Sequence, residues 1–459
     1  MRLRRLPLLA AVLAATGLTT AFAAEDGDTS GLRGSLDNSG LASTVSDQEI
    51  DNIGRIIRAG PVDTTDPTAD QSPAPARRAA KEEDPYAPLG MRAGGLIFLP
   101  ALTLSGGYTT NAAAGAGGRP SGFLGIAPEL VIRSDWERNE ATLSMRGSYL
   151  DFTDGTTAAQ PTADVEATSR LDLADRWNVA LAGGYHFAHQ SISDPNFPAG
   201  VDSPPGVHDF NGSAALNGSF GKNVFTLTGL AGRTIYENGT SGGLVVDQGD
   251  RDNNLYGARL RLGYELTPLI TPFVEGELTR RVYDRAFDDS GLQRASRGEA
   301  LRAGFAYDSA PVLKGELAVG VRQETFDDAS LAALKALTVD GSLVWSPTAL
   351  TTITYAVSTG INSSTDAASS GSVVYDGSVD FAYAYRSNLT ADLVAGVKQE
   401  RFQGTGETAN TFRLGVGTVW KVNRNLQLTS GYVHEWLQSN NAARDYASDT
   451  VRVEMRVQR

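Results

Sequence analysis

PVLKGELAVGVRQE, residues 311–324, places Leu313, Leu317, Val319 and Val321 on one side of an extended chain and Lys314, Glu316, Arg322 and Glu324 on the other. Side chains alternate across a strand with a period of two, so this run has one oily face and one charged face. VYDGSVDFAYAYR, residues 374–386, repeats the pattern, with Tyr375, Val379, Phe381, Tyr383 and Tyr385 against Asp376, Ser378, Asp380 and Arg386. The last residues do the same: Val451, Val453, Met455 and Val457 alternate with Arg452, Glu454, Arg456 and Gln458.

Working outward, about eighteen such segments fill the chain between Gly94 and Arg459. The connections alternate strictly in length. Eight are tight, at Glu137-Arg138, Ala174-Asp175-Arg176, Gly221-Lys222, Thr267-Pro268, Ala310, Pro347-Thr348, Ser387 and Val422-Asn423. The others are long and rich in Gly, Ser, Asp, Asn and Thr. Outer-membrane barrels place short turns on the periplasmic side and long loops outside. An aromatic ring stands at each tight turn: Trp136, Trp177, Phe220, Tyr264, Tyr307, Trp345, Tyr385 and Trp420. Amphipathic rings settle at the lipid headgroup level, so a ring at every turn predicts a girdle at one membrane face. Tyr149, Phe187, Tyr236, Tyr283, Phe326, Phe402 and Trp436, near the opposite strand ends, are candidates for a second girdle. The rings recur about every forty residues, close to a propeller blade repeat. A blade packs four short strands into that length, whereas each period here holds two long strands and a long loop. The fold class expected is therefore all-β: a transmembrane antiparallel β-barrel.

The first residues form a secretory signal peptide over 1–23, with Arg2, Arg4 and Arg5 ahead of an apolar stretch and Ala21-Phe22-Ala23 at the cleavage site. Residues 24–93 lack hydrophobic periodicity and are rich in Asp, Thr, Ala, Pro and Ser, the composition of a disordered periplasmic segment. Within it, Ser46-Asp47-Gln48-Glu49 has capping-box spacing, and Ile50, Ile53, Ile56 and Ile57 share a face ahead of Gly60-Pro61. These features predict a short helix near 47–59, a plug or a docking element. The barrel proper is expected over 94–459. The chain has no cysteine, which suits passage through an oxidising periplasm. A net charge of −13 argues against nucleic acid as a partner, because phosphate binding wants a basic face.

Charges on the lipid face would cost about 2–4 kcal/mol for each Arg or Lys at midplane, so the alternation must turn them inward. The lumen is expected to be lined by Arg146, Arg170, Arg259, Arg261, Glu275, Glu277, Arg281, Arg302, Lys314, Glu316, Arg322, Asp376, Asp380, Asp392, Lys398, Arg452, Glu454 and Arg456, with Glu166 and Asp172. Mixed signs describe a wet, weakly selective wall; the bland alternative is that the charges pair and partly fill the lumen. His186, His189, His208 and His434 are the only histidines, and none stands in a motif with catalytic spacing. His186 falls on the lumen side and reads as a hydrogen-bonded structural histidine. Glu275 and Glu277 have the form of a hydrolytic pair, but same-face carboxylates two apart recur on a charged wall. Neither a metal-ligand cluster nor a phosphate loop is visible, so no catalytic residue, metal or cofactor is expected. An adhesin or assembly factor would carry more sequence ahead of the barrel than the sixty-odd residues here.

Pro88-Leu89-Gly90-Met91-Arg92-Ala93-Gly94 runs into Leu99-Pro100-Ala101-Leu102-Thr103-Leu104 and ends at Tyr108 and Asn111, while Pro272-Phe273-Val274-Glu275-Gly276-Glu277 precedes Arg280-Arg281-Val282-Tyr283-Asp284. These stretches resemble the putative β-barrel porin type 2 family, and the likeness extends from about residue 86 onward. The resemblance implies a protein of the Gram-negative outer membrane, often associated with exopolysaccharide gene sets. It implies a channel rather than an enzyme, with exopolysaccharide export as the leading cargo. The partners it suggests are outer-membrane lipid and a periplasmic polysaccharide-export protein. A general diffusion porin for small hydrophilic solutes is the alternative, and such a porin would use the loop at 190–207 to narrow its pore.

Overall fold

The computed structural model describes residues 85–459 except 175, 191, 193–196, 198–200, 203 and 365–367. The expected leader, the segment up to residue 84, the helix near 47–59 and much of the connection at 190–207 lie outside the described residues.

The chain is built almost wholly from strands. A short β1 (Met91–Ala93) precedes β2 (Leu96–Thr109), β3 (Ser121–Ser134), β4 (Glu140–Phe152), β5 (Gln160–Ala174), β6 (Trp177–His189), β7 (Gly206–Phe220) and β8 (Asn223–Tyr236). A small hairpin of β9 (Gly239–Ser241) and β10 (Leu244–Val246) follows, then β11 (Asn253–Tyr264), β12 (Ile270–Tyr283), β13 (Ser296–Ser309) and β14 (Leu313–Phe326). The series ends with β15 (Leu334–Thr348), β16 (Thr351–Ser363), β17 (Gly371–Arg386), β18 (Leu389–Gln403), β19 (Thr408–Lys421), β20 (Leu426–Ser439) and β21 (Tyr446–Gln458).

Eighteen long strands, β2–β8 and β11–β21, pair antiparallel with their sequence neighbours. β8 pairs directly with β11 and so bypasses the small hairpin. The sheet closes where β2 meets β21, from Ala101 opposite Gln458 to Thr109 opposite Thr450. Closure removes the open edges that would otherwise leave backbone N–H and C=O groups unsatisfied in lipid, which is why spanning sheets are barrels. No helix among the described residues is long and apolar enough to cross a membrane; the strands, at 12 to 16 residues, exceed the 9–11 needed to cross at a tilt.

Both sequence patterns that set the architecture reappear in space. The turn at Gly221 uses φ +59°, and the β9–β10 turn places Gly242 and Gly243 at φ +56° and +80°. Two consecutive positive φ angles fit a two-residue hairpin turn and cost glycine nothing. The alternation of connection lengths is looser than the sequence suggests. Gly404–Glu407, on the long-loop side, has four residues, fewer than the five of Asp135–Asn139 on the tight side. The structured region also begins ahead of residue 94. Met91–Ala93 pairs with Leu96–Phe98, Arg92 bridges to Asp135, and the Arg424 Nε–H donates to the Pro85 carbonyl at 2.7 Å.

The large apolar side chains point away from the interior. Leu124, Leu301, Leu337 and Val321 are each more than half exposed, while Arg302, Thr338 and Arg322, next in sequence to the last three, are buried. A water-soluble fold hides its oily face; this one presents a continuous band of it on the outside.

Candidate functional site

Curvature identifies the inner face. Arg261 on β11 reaches Glu316 on β14 at 3.0 Å, past two intervening strands. Register carries Arg261 across to Gly320, four residues from Glu316; at about 4.8 Å between neighbouring strands the two positions stand at least roughly 14 Å apart along the sheet, so their side chains can meet only by converging on a concave wall. Arg302 on β13 likewise reaches Asp340 on β15 at 3.1 Å. By strand register, the positions expected in the lumen share the parity of Arg261 and Glu316.

On β11–β15 the concave wall is a dense ladder of ion pairs. Glu275 stands 2.7 Å from Arg261, 3.0 Å from Arg302 and 3.6 Å from Arg259. Glu277 stands 2.7 Å from Arg259, 3.2 Å from Arg302 and 3.5 Å from Arg322. Glu324 lies at 3.9 Å from both Arg281 and Arg322. Five guanidiniums (Arg259, Arg261, Arg281, Arg302 and Arg322) thus face five carboxylates (Glu275, Glu277, Glu316, Glu324 and Asp340) with no net charge. The long side chains find room because their cross-strand partners are small: Arg302 faces Gly320, and Arg322 faces Ala300 and Ala336. A Cβ at Gly320 would sit 2.8 Å from Arg302 Cγ. Such packing turns the two glutamates that resembled a hydrolytic pair into hubs, each closed off by three guanidiniums. Here the bland alternative of paired, partly filling charges describes the wall better than free, hydrated ones.

The remaining positions are spread around the wall. Glu129 takes Arg456 at 2.7 Å and Arg146 at 3.2 Å. Arg452 bonds Glu454 at 3.4 Å and lies over the Phe123 ring at 5.1 Å. Arg170 meets Asp172 at 3.0 Å, and Lys314 meets Asp308 at 3.8 Å. Asp376 sits directly opposite Lys398 and, like Glu166, is exposed. Asp380 and Asp392 form no ion pair among the described residues. His186 bonds Asp164 at 2.7 Å, a structural arrangement. Sequence reasoning missed Glu129, Asp340, Arg413 and Glu435, the last two paired at 2.8 Å. None of the residues already placed inside lies on β3, β15, β19 or β20; the signal there was the opposite parity of the apolar Leu124, Leu337, Leu414 and Tyr432, all exposed.

The turn-side aromatics stand on the lipid side, Phe220 and Tyr385 most openly at 67% and 63% exposure. The second girdle needs correction. Tyr149, Phe187 and Trp436 face outward, but Tyr236, Tyr283, Phe326 and Phe402 have the parity of the lumen wall and turn inward. Tyr236 lies under the Arg251 guanidinium at 3.8 Å. The outward rings at that end are instead Tyr108, Tyr256, Phe210 and Tyr432, each at least 40% exposed. Proximity to a strand end selected the wrong set, because parity, not height, decides which side a ring takes.

The wall overlaps itself at one place. β15 and β16 pair from Thr348 opposite Thr351 only as far as Gly341 opposite Val357. Beyond that level β15 continues to Leu334 beside β14, and β16 continues to Ser363 beside β17. Thr359 bridges the fork: the Val339 N–H donates to its Oγ1 at 2.9 Å, and the Thr359 N–H donates to Asp340 Oδ1 at 2.9 Å. Above it, Ile361 and Val373 pack on Leu334 and Ala336, with Phe326 and Tyr375 against them. Leu334, Ala336 and Phe326 belong to the lumen face, so the outer parts of β16 and β17 stand inside the barrel. The porin alternative placed a pore-narrowing element at 190–207. Of that connection, Asp202 bonds into the β9–β10 hairpin, and the inward element that the structure describes is this one.

The long connections carry their own local bonds. In residues 153–159, Asp154 accepts from the hydroxyls of Thr156 and Thr157 at 2.6 and 2.8 Å. Those donors, Thr156 foremost, pull its carboxyl down to about 2. The bonds favour the charged form, so the turn is held above the ordinary carboxylate range and released only as pH falls through about 2. A carboxyl-carbon NMR titration should find Asp154 still ionised at pH 3, and Thr156→Val with Thr157→Val should return it to the ordinary range.

A closed eighteen-strand antiparallel sheet with an apolar outer band, an aromatic turn-side girdle and a charged concave wall is a porin-like barrel of the outer-membrane type. The model of the family described as Putative beta-barrel porin 2 matches residues 84–459, and the chain belongs to that family. No curated protein matches it. Among solved structures, it is similar to the ferric enterobactin receptor of Pseudomonas aeruginosa, at 9% identity over 79% of this chain and 80% of that one with a TM-score of 0.37. The siderophore receptor PirA of the same organism matches at 10% identity over 79% and 80%, TM-score 0.38. The FrpB iron transporter of Neisseria meningitidis matches at 9% over 74% and 61%, TM-score 0.39.

Proposed function

We propose that the chain is a passive conduit for hydrophilic, sugar-like solutes across the cell outer membrane, and that it catalyses no reaction. The observation that carries this reading is the concave wall, where guanidiniums and carboxylates neutralise one another across strands. Barrels of 16–18 strands are wide enough for an aqueous channel. A self-neutralising wall offers hydrogen bonds to hydroxyl groups without a field that sorts ions. Planar-bilayer recordings should therefore show a conductance with weak preference between potassium and chloride; strong selectivity for either would count against the reading.

Two cargoes fit. The inward-standing parts of β16 and β17 favour small solutes, because diffusion porins narrow their lumen with an inward element. Polysaccharide export, the leading cargo on the sequence, is the second reading. It rests on the family's association with exopolysaccharide gene sets and on the N-terminal segment, which would dock to a periplasmic export partner. Gene deletion separates them. Loss of permeability to small sugars with surface and secreted polysaccharide unchanged supports diffusion; arrest of polymer secretion, weakened also by removing residues 46–60 alone, supports export.

A further inference from the structure

We infer that the extracellular parts of β16 and β17, residues 358–363 and 371–375, are a movable wall segment with two seats, one inside the barrel and one within the wall. The inference rests on the channel reading and adds a gate to it. Three observations carry it.

The first is the pair of unused edges. Above Gly341 and Val357, among the described residues, β15 has no ladder partner on its β16 side and β16 has none on its β15 side, the Val339 N–H and carbonyl being met by the Thr359 hydroxyl instead. Continuing the same register would place Val339 opposite Thr359 and Leu337 opposite Ile361. An unpaired edge is a template for a strand, and here the complementary strand hangs from the same fork.

The second is side-chain parity. Thr359, Ile361, Val373 and Tyr375 alternate in phase with Val357, Val379, Phe381 and Tyr383, the lipid-facing residues of β16 and β17. Set into the wall, they would extend the outer apolar band beside Leu337, which is 63% exposed. In the seat observed, the same side chains cover the lumen face of β15, where Ile361 is 4% and Val373 8% exposed against Leu334 at 1%. One sequence thus satisfies two packings, the condition for a bistable element. Among the described residues, Thr359 alone bridges the fork by hydrogen bonds: its hydroxyl takes the Val339 N–H and donates back to the Val339 carbonyl at 3.1 Å, and its N–H donates to Asp340 Oδ1.

The third is a latch on the neighbouring loop. Arg294, buried beside Asp288 at 2.7 Å, donates to the Ser369 carbonyl at 2.5 Å. That bond ties the inward seat to the connection between β12 and β13 and would break on return to the wall.

The test uses engineered cysteines, which are unambiguous in a chain that has none. In the inward seat Leu337 and Ile361 lie on opposite sides of β15; in the wall seat they are direct neighbours. A full-length L337C/I361C protein in lipid bilayers should form a disulfide on mild oxidation and then conduct more, with the increase reversed by reductant. V321C/L337C, on a pair directly opposed in the permanent β14–β15 ladder, should cross-link without changing conductance. Arg294→Gln should speed the first cross-link several-fold and leave the second unchanged. If the control pair cross-links and the test pair does not, or if the locked test pair conducts no more than the reduced protein, the gate is refuted. Absence of any conductance in the unmodified protein would instead refute the channel reading, while cross-link formation still reports on the two seats.

Discussion

Glu277→Ala is expected to lower the unfolding stability of the barrel by about 3–5 kcal/mol, the cost of removing one partner from a buried ion pair. Glu277 is buried and faces Arg259, Arg302 and Arg322 within 3.5 Å. Its loss leaves the cluster with excess positive charge that cannot reach bulk water. Glu166→Ala, at an exposed lumen position, should stay within about 0.5 kcal/mol. Urea unfolding in lipid vesicles reads both. A restoring second substitution, Arg322→Met in the Glu277→Ala background, should recover part of the loss, because it removes the charge that was stranded. Equal effects at Glu277 and Glu166 would mean that the ladder is hydrated and the ion pairs count for little.

Leu301→Arg carries the second large effect and tests the membrane itself. Leu301 lies near the middle of β13 on the lipid side at 63% exposure. An exposed leucine on a water-soluble surface accepts arginine almost freely, but at the bilayer midplane the change should cost about 2–4 kcal/mol. Leu173→Arg, close to the tight turn between β5 and β6 and 61% exposed, should cost only about 0–1 kcal/mol, since charges near the interface remain solvated. The discriminating result is the difference between two leucines of similar exposure in vesicles, and its disappearance in a non-membrane environment. Similar costs at both sites would remove the case for a spanning barrel.

Much of this molecule is legible in its residues because the strand has a period of two and the bilayer tolerates only one orientation of it. PVLKGELAVGVRQE already names which side Lys314, Glu316 and Arg322 take, and the tight turns with their rings count the strands and mark one membrane face. Where proximity replaced parity the reading failed: Tyr236, Tyr283, Phe326 and Phe402 stand at the right height and on the wrong side. The candidate site was legible as a list and illegible as an arrangement.

Alternation assigns a side chain to a face and says nothing of what it meets there. That Arg261 reaches Glu316 across two strands, or that Glu275 and Glu277 each gather three guanidiniums, depends on the curvature that closure imposes on the whole sheet. The fork at Gly341 and Val357 is more purely tertiary still. Nothing in the alternation of β16 or β17 distinguishes a lipid-facing Ile361 from one packed on Leu334, because both environments are apolar and both satisfy the same pattern. The sequence by itself determined the barrel, its strand count and the face of most of its charges, since these follow from local periodicity. Only the folded sheet decided the ion-pair partners and the inward seat of β16 and β17, since these follow from contacts between residues that periodicity leaves independent.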